Sequence, residues 1–432
     1  MKKLARLIGK TAIAVGKLKG KQSTALPGYL ALRLDPNFGK HYTMPKTVIF
    51  VTGTNGKTTT THMLTEIFRA AGKRVLTNDG GANMPQGIAT AILKASRGDQ
   101  VEADVAVFET DELYIDEVAQ LAAPDYIVVG NLFADQLDRF GSVQKLAEEM
   151  VKKIPAETTV IANGDDPMAV YIAKNAGKNA RTYGVANMSP GTVRDEICPA
   201  CGKELVYTAQ SYDHIGRFSC SCGLELPIDY KATIDAPYYE LAGERYEAPE
   251  KAIYVVYNAL AATATALEMD IEPSVIREAI RTVLPVHGRK VRLNFNGEEG
   301  FLSLIKNPAG ANVTLDLLRE LEEPYQILFG INNNVPDGLD TSWFQEIALE
   351  TLADTPLRAV FITGGAAEAF FSVAEDKLPA IRTEMGSLEA MIEEMEKTHI
   401  PSYFLCNYTM LAPLTDALKR HSVGRITQKK YK

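Results

Sequence analysis

The chain has 432 residues, 46% of them hydrophobic and 23% charged, with 32 Gly and 21 Pro. That is the composition of an ordinary soluble globular protein, and the length points to two or three domains rather than one core. A formal net charge of −8 argues against broad nucleic-acid binding, and no run reaches the roughly 18 apolar residues of a membrane-spanning helix.

In chain order, the first segment, residues 1–40, is strongly basic. Lys2, Lys3, Arg6, Lys10, Lys17, Lys19, Lys21 and Arg33 all precede the first acidic residue, Asp35. Leu4, Leu7, Ile8, Val15 and Leu18 recur at helical spacing, which predicts a basic amphipathic helix. Lys10 and Lys17 interrupt any apolar stretch, so it does not read as a signal peptide. The reading preferred from sequence is a helix docked on its own protein with a solvated basic face. The competing one is contact with anionic lipid or a phosphate-bearing substrate.

From residue 47 buried-strand patterns alternate with helical ones. Strands are expected at Thr47–Val51, Val105–Thr110, Tyr126–Gly130 and Thr159–Asn163, with a helix over Thr58–Ala71 that Gly72 closes. This predicts an open parallel α/β sheet. Between the first strand and that helix lies Thr52-Gly53-Thr54-Asn55-Gly56-Lys57-Thr58-Thr59. Its glycines allow backbone N–H groups to converge on phosphate oxygens at the positive end of a helix. Lys57 is expected to neutralise terminal phosphates and the Thr58 hydroxyl to hold Mg²⁺, although the spacing is two residues shorter than in the commoner phosphate loop. Glu109, ending Val105-Ala106-Val107-Phe108, stands where an acid at a strand's carboxyl end holds Mg²⁺ or its water. By itself such a Glu reads as a helix cap or surface charge.

The alternation breaks near Met188–Pro190 and resumes after about Leu226, which marks residues 190–228 as an insertion. Four of the five cysteines lie in it, as Cys198-Pro199-Ala200-Cys201-Gly202 and Cys220-Ser221-Cys222-Gly223, with 18 residues between. In a long chain without an export signal this reads as a closed, structural Zn²⁺ ribbon and a cytoplasmic protein, with free thiols or a redox pair as alternatives. His214, between the knuckles, is expected at the surface. Helical sequence over Lys251–Val283 leads to a hinge at Pro285-Val286-His287-Gly288-Arg289. A second α/β series follows, with strands expected at Phe301–Ile305, Gln326–Ile331, Ala359–Thr363 and Ser402–Cys406. Cys406 ends an apolar run and is expected as a buried thiol, so the chain supplies no glutaminase nucleophile of its own.

Several separated motifs together resemble the Mur-ligase family: Gly53 to Thr59 as its ATP loop, Asn131-Leu132-Phe133-Ala134-Asp135-Gln136-Leu137-Asp138, Tyr257-Asn258-Ala259-Leu260-Ala261-Ala262, and His287-Gly288-Arg289. The cysteine insertion, Pro336-Asp337-Gly338-Leu339-Asp340-Thr341-Ser342-Trp343 and Asn407-Tyr408-Thr409-Met410-Leu411 narrow the likeness to the branch that forms the ligase subunit of lipid II isoglutaminyl synthases. The resemblance implies a Mur-ligase-like central ATPase domain (41–290) with an inserted four-cysteine zinc ribbon and a C-terminal Rossmann-like α/β ligase domain (291–432). It implies ATP on Thr54, Asn55, Gly56, Lys57, Thr58, Thr59, Asn258 and Arg289, Mg²⁺ on Thr58 and Glu109, and Zn²⁺ on Cys198, Cys201, Cys220 and Cys222. The implied reaction is ATP-dependent amidation of the D-glutamate α-carboxyl of the lipid II stem peptide. Nitrogen would come from a GatD-like glutamine amidotransferase subunit in a heterodimer, at the inner face of the cell membrane, and the competing reading of the basic segment would add peripheral membrane contact. Asp340, or else Asp337, is expected as the carboxylate near the attacking nitrogen.

The chain departs from the general family pattern in three places. Gln136 and Met150 replace a metal-supporting His and a carbamylated Lys, and Leu304-Ile305-Lys306-Asn307-Pro308 replaces an Asp-Tyr-Ala-His-Asn-Pro-like stretch. Two other readings stand beside this one: a stand-alone Mur-type or folylpolyglutamate-type amino-acid ligase, and, because Gln136 and Met150 remove metal support, a nucleotide-binding scaffold without ligase activity.

Overall fold

A computed structural model describes residues 2–18, 24–78, 81–133, 141–191, 196–283, 290–334 and 337–421. The chain divides near residue 284 into two compact units. The hinge motif around His287 and Arg289, and Gln136, lie outside the described residues.

The first unit opens with helices α1 (Lys2–Leu18) and α2 (Leu26–Leu34). Its core is a sheet whose strands are β1 (Thr47–Thr52), β2 (Val75–Thr77), β3 (Val105–Glu109), β4 (Tyr126–Val129), β5 (Thr159–Asn163) and β6 (Asn179–Val185), all parallel. β-Branched and aromatic runs such as Thr-Val-Ile-Phe-Val-Thr in β1 are buried on both faces, as a sheet covered by helices requires. Helices α3 (Lys57–Ala70) and α4 (Pro85–Ala95) follow β1 and β2, and α5 (Val143–Lys153) and α6 (Pro167–Asn175) precede and follow β5. Asp166 caps α6 by accepting from the N–H groups of Met168 and Ala169, and Pro167 fills its first turn, where no donor is needed.

The insertion forms a separate antiparallel hairpin, β7 (Val206–Tyr212) with β8 (Ile215–Ser219). Its small core of Cys198, Leu205, Tyr207 and Leu224 closes on Val170 of α6. The chain then rejoins the main sheet through β9 (Tyr230–Asp235), parallel to β6, and the meander β10 (Tyr238–Leu241) and β11 (Glu244–Glu247). Helices α7 (Ile253–Glu268) and α8 (Pro273–Thr282) complete the unit and pack on α3. Among the described residues the sheet order is β11-β10-β9-β6-β5-β4-β1-β3-β2. β1 therefore lies between β3 and β4, and the loops leaving these three strands open at one carboxyl edge, where open α/β sheets bind ligands.

In the second unit a hairpin, β12 (Lys290–Phe295) with β13 (Glu298–Leu304), begins a sheet. It continues through α9 (Pro308–Arg319), β14 (Tyr325–Gly330), β15 (Leu357–Thr363), α10 (Ala367–Lys377), β16 (Arg382–Met385), α11 (Leu388–Glu396), β17 (Ser402–Cys406) and α12 (Tyr408–His421). The order is β12-β13-β17-β14-β15-β16, parallel from β13 onward. Alternation sorts each strand between two cores: Ile327, Phe329, Val360, Ile362, Tyr403 and Leu405 on one face, Leu328, Phe361, Phe404 and Cys406 on the other.

Candidate functional site

The phosphate loop leaves β1 at the centre of the first sheet. Gly53 has φ 125° and Gly56 φ 84°, both in the region that favours glycine. Space demands glycine as well: a Cβ on Gly53 would stand 2.9 Å from the carbonyl oxygen of Asn131, and one on Gly56 2.1 Å from Asn258 Oδ1. Asn131 braces the loop from β4, its carbonyl accepting from Thr54 N at 2.7 Å and its Oδ1 from Asn55 N at 3.1 Å. The Thr54 hydroxyl oxygen accepts from Phe133 N at 2.9 Å. Lys57 and Thr58 begin the 14-residue helix α3, so both stand at its positive end.

Lys57 Nζ donates to Gly53 O and to Glu112 Oε1, each at 2.6 Å. Burial works against the ammonium charge, and Glu112 outweighs it, with Glu109 and Asp111 adding to the effect, so Lys57 is held cationic. For Glu112 burial is the stronger influence and raises its carboxyl, against the pull of Lys57. Glu109 is buried at the end of β3, opposite Val51 of β1, and accepts from Asn83 Nδ2 at 3.3 Å. Asn78 clamps its backbone, donating to Glu109 O and accepting from Glu109 N. Asn258, on α7, lies against Gly56. The structure thus brings Gly56, Lys57, Thr58, Glu109 and Asn258 to one edge of the first unit. Arg289 and Gln136 are outside the described residues, and Met150 is buried in α5.

Sequence reasoning missed a second wall of this edge. Asp165 Oδ2 accepts from Tyr257 OH and from Val185 N, and burial pushes its carboxyl up to about 7. Asp166 Oδ2 accepts from Leu132 N at 2.8 Å. The ribbon hairpin reaches in here: Tyr212 stacks on Phe133, His214 meets the edge of the same ring, and Tyr212 packs edge-on against Tyr257. His214, expected at the surface, is buried, because the β7–β8 turn, with Asp213 at φ 50°, points into the unit rather than away from it. Asn163-Gly164-Asp165-Asp166 at a strand's carboxyl end was the available signal; nothing comparable marks Glu112 or Tyr212.

The four knuckle cysteines come together. Their Sγ atoms all lie within 4.8 Å of one another, with Cys198 to Cys222 at 3.6 Å and Cys201 to Cys220 at 3.5 Å. Four sulfurs tetrahedrally placed about 2.3 Å from one ion stand ~3.8 Å apart, so the donor set fits Zn²⁺. The Cys222 backbone N–H, with the neighbouring thiols, lowers Cys220 to about 7, which favours a thiolate.

In the second unit Asp337 belongs to a network at the carboxyl edge of β14 and β17. Its Oδ1 accepts from Thr409 N at 2.9 Å and its Oδ2 from the Thr409 hydroxyl. Asn332 and Asn334 each donate to Thr409 Oγ1, at 2.9 and 3.0 Å, and Asn407 Nδ2 donates to Asn332 O. Asp340 stands apart from these bonds. Its oxygens accept from Ser342 N and Oγ, which hold its carboxyl below the usual range and make it the turn before a short 3-10 helix, Ser342–Glu346. Asn307 caps α9. Cys406 is a core residue whose thiol burial pushes up to about 12, as its apolar run predicts.

Residues 51–217 match the family described as Mur ligase middle domain, and residues 304–411 the family described as MurT ligase C-terminal. Over 98% of its length the chain is 30% identical to the lipid II isoglutaminyl synthase (glutamine-hydrolyzing) subunit MurT of Staphylococcus aureus (strain COL), covering 98% of that protein. With the subunit of the same name from Streptococcus pneumoniae it shares 29% identity, again over 98% of each. Among solved structures it resembles a pseudomurein peptide ligase type C from Methanothermus fervidus, with TM-score 0.67 and 21% identity over 88% of this chain and 80% of that one. The last likeness shows the fold.

Proposed function

The chain belongs to the MurT family of Mur-type ligases, and on that premise we propose that it amidates the D-glutamate α-carboxyl of the lipid II stem peptide to D-isoglutamine. The observation that carries this reading is an end-to-end likeness to proteins of that name in a chain whose phosphate loop is fully braced, with Lys57 held cationic beside it.

A carboxylate has no good leaving group, and transfer of the ATP γ-phosphoryl group to it supplies one. Lys57 and the first N–H groups of α3 stabilise negative charge on the transferring group. Thr58 and Glu109 offer the hard oxygen ligands that Mg²⁺ takes, and bound there it would neutralise phosphate charge. Thr54, Asn55, Gly56 and Thr59 complete the phosphate cradle, and Asn258 on the base side and Arg289 on the phosphates would take the roles that the family resemblance implies. Ammonia then attacks the acyl carbon, the carbon–nitrogen bond forms, phosphate leaves, and the nitrogen sheds a proton. A carboxylate near that nitrogen takes the proton that it sheds as the bond forms. The sequence motif points to Asp340 for this role, with Asp337 second. The bonds of Asp337 to Thr409, whose hydroxyl Asn332 also meets, at a strand edge where ligands bind, favour Asp337. Ammonia would come from a GatD-like glutaminase partner, because Cys406 is a buried core thiol. Zn²⁺ on Cys198, Cys201, Cys220 and Cys222 would fold the ribbon, and the reaction would run at the inner face of the cell membrane.

The test is the mass of lipid II after incubation with ATP and an ammonium salt. Wild-type protein is expected to yield a product about 1 Da lighter, the exchange of a hydroxyl for an amide, and Lys57→Ala none. Unchanged lipid II with wild-type protein that still binds ATP would overturn the reading in favour of a scaffold. Asp337→Asn and Asp340→Asn in the same assay decide between the carboxylates, the catalytic one losing turnover at least a hundredfold.

A further inference from the structure

Helix α1 shows three faces. Ala5 and Gly9 are buried and seat it on α2 and α4, so closely that a Cβ on Gly9 would stand 2.5 Å from Leu93 Cδ1 and 3.3 Å from Pro27 O. Lys2 and Arg6 hold Asp99 at 2.6 and 2.8 Å, and Lys10 donates to Ser96 O at 2.6 Å, which fixes one flank to the unit. The third face points to water and is apolar. Leu4 is 47% exposed, Leu7 64%, Val15 43% and Leu18 86%. With Thr11 and Ala14 they follow the three-and-four spacing of one stripe, roughly 100° wide. Lys3 and Lys17, both exposed, run along the edge of that stripe in the same heptad row as Lys10. Leu26 and Tyr29 of α2 are exposed large apolar side chains too. All 54 acidic residues of the chain come after Leu34.

The arrangement inverts what a helix docked on its own protein presents, since its small residues face inward and its leucines outward. We propose that the outer face of α1 is a membrane-contact surface that lies in the headgroup plane of a bilayer bearing anionic lipid. The leucine stripe would enter the acyl boundary and the lysine row would meet the lipid phosphates. Charge decides this occupant over a protein one: a stripe whose charged border is a row of lysines, in a molecule of net charge −8, is complementary to an anionic leaflet. Among the described residues no helix is long and apolar enough to cross a membrane, so the helix lies on the bilayer. The inference deepens the proposed reaction, whose substrate is lipid-linked, but it is tested without ATP or lipid II, so either can fail alone.

The experiment is flotation of the full chain with vesicles of phosphatidylcholine, with and without phosphatidylglycerol. Wild-type protein is expected to float with the anionic vesicles and to be released by high salt. Leu7→Ser with Leu18→Ser is expected to lower the bound fraction at least tenfold, and Lys3→Glu with Lys17→Glu to do the same. Unchanged circular dichroism would show that these exposed positions leave the fold intact. Failure of wild-type protein to float, or flotation of the leucine variant equal to wild type, would overturn the inference. So would equal binding to phosphatidylcholine alone, or a dimer of the free protein that the leucine variant abolishes.

Discussion

In the turn joining β7 to β8, His214 Nε2 lies 3.5 Å from Asp166 Oδ2 and Nδ1 lies 3.2 Å from Asp213 Oδ1. Burial disfavours the imidazolium, but the two carboxylates outweigh it and raise the ring to about 10 from an ordinary 6.5. The folded chain therefore keeps a proton that the unfolded chain gives up. The stabilisation is complete below about pH 6.5 and is lost as pH rises toward about 10. Asp166 also caps α6 and accepts from Leu132 N, so this one proton ties the ribbon to two parts of the nucleotide edge. Between about pH 7 and about pH 9, wild-type stability in urea is expected to fall by roughly 1.4 kcal/mol per pH unit more steeply than that of His214→Phe. Parallel pH profiles would show that the ring is neutral. Sequence could not place this residue, because a lone His between two cysteine knuckles carries no pattern. Lys57, Thr58 and Glu109 were legible because glycine spacing and strand ends fix where such groups emerge. Glu112 was not, since the bond it makes to Lys57 joins residues 55 positions apart in the chain.

At the scale of elements, the long buried strands could be read directly: β1, β5, β14 and β17 are apolar runs of the length two-sided burial requires. The meander β9 to β11 could not, because each strand has one solvated face and alternates exposed and buried residues over a few positions. In α1 periodicity gave the helix but not its orientation, which Ala5 and Gly9 decide through close approach. The ribbon is the element with least packing of its own. Its own buried cluster is small, Cys198, Leu205, Tyr207 and Leu224 against Val170, so a metal is expected to hold the knuckle end of residues 196 to 226 together. One zinc per chain is accordingly expected by elemental analysis. A chelator strong enough to remove it is expected to open trypsin cleavage within 196–226 while both main sheets persist by circular dichroism. Zinc-free protein as resistant as the untreated chain would mean that the cysteines are dispensable for folding.

Over the whole molecule, the candidate residues divide between two compact units. Among the described residues the nucleotide edge is built from the first unit, from strand ends and from helices α3 and α7, whereas Asp337 and Thr409 belong to the second. A ligand that binds one folded unit stabilises that unit by mass action, about 2.7 kcal/mol at a hundredfold excess over Kd. The chain contains one tryptophan, Trp343, and it packs on the second unit's core beside Phe344. Its fluorescence therefore follows the second unit alone, while far-UV circular dichroism follows both. Each unit buries its own apolar clusters, so two unfolding transitions are expected. Mg-ATP is expected to raise the melting temperature of a circular dichroism transition by several degrees and to leave the Trp343 transition where it was, with Lys57→Ala abolishing the shift. If both transitions moved together, the two units would unfold as one, and nucleotide binding would already be felt at the edge that carries Asp337.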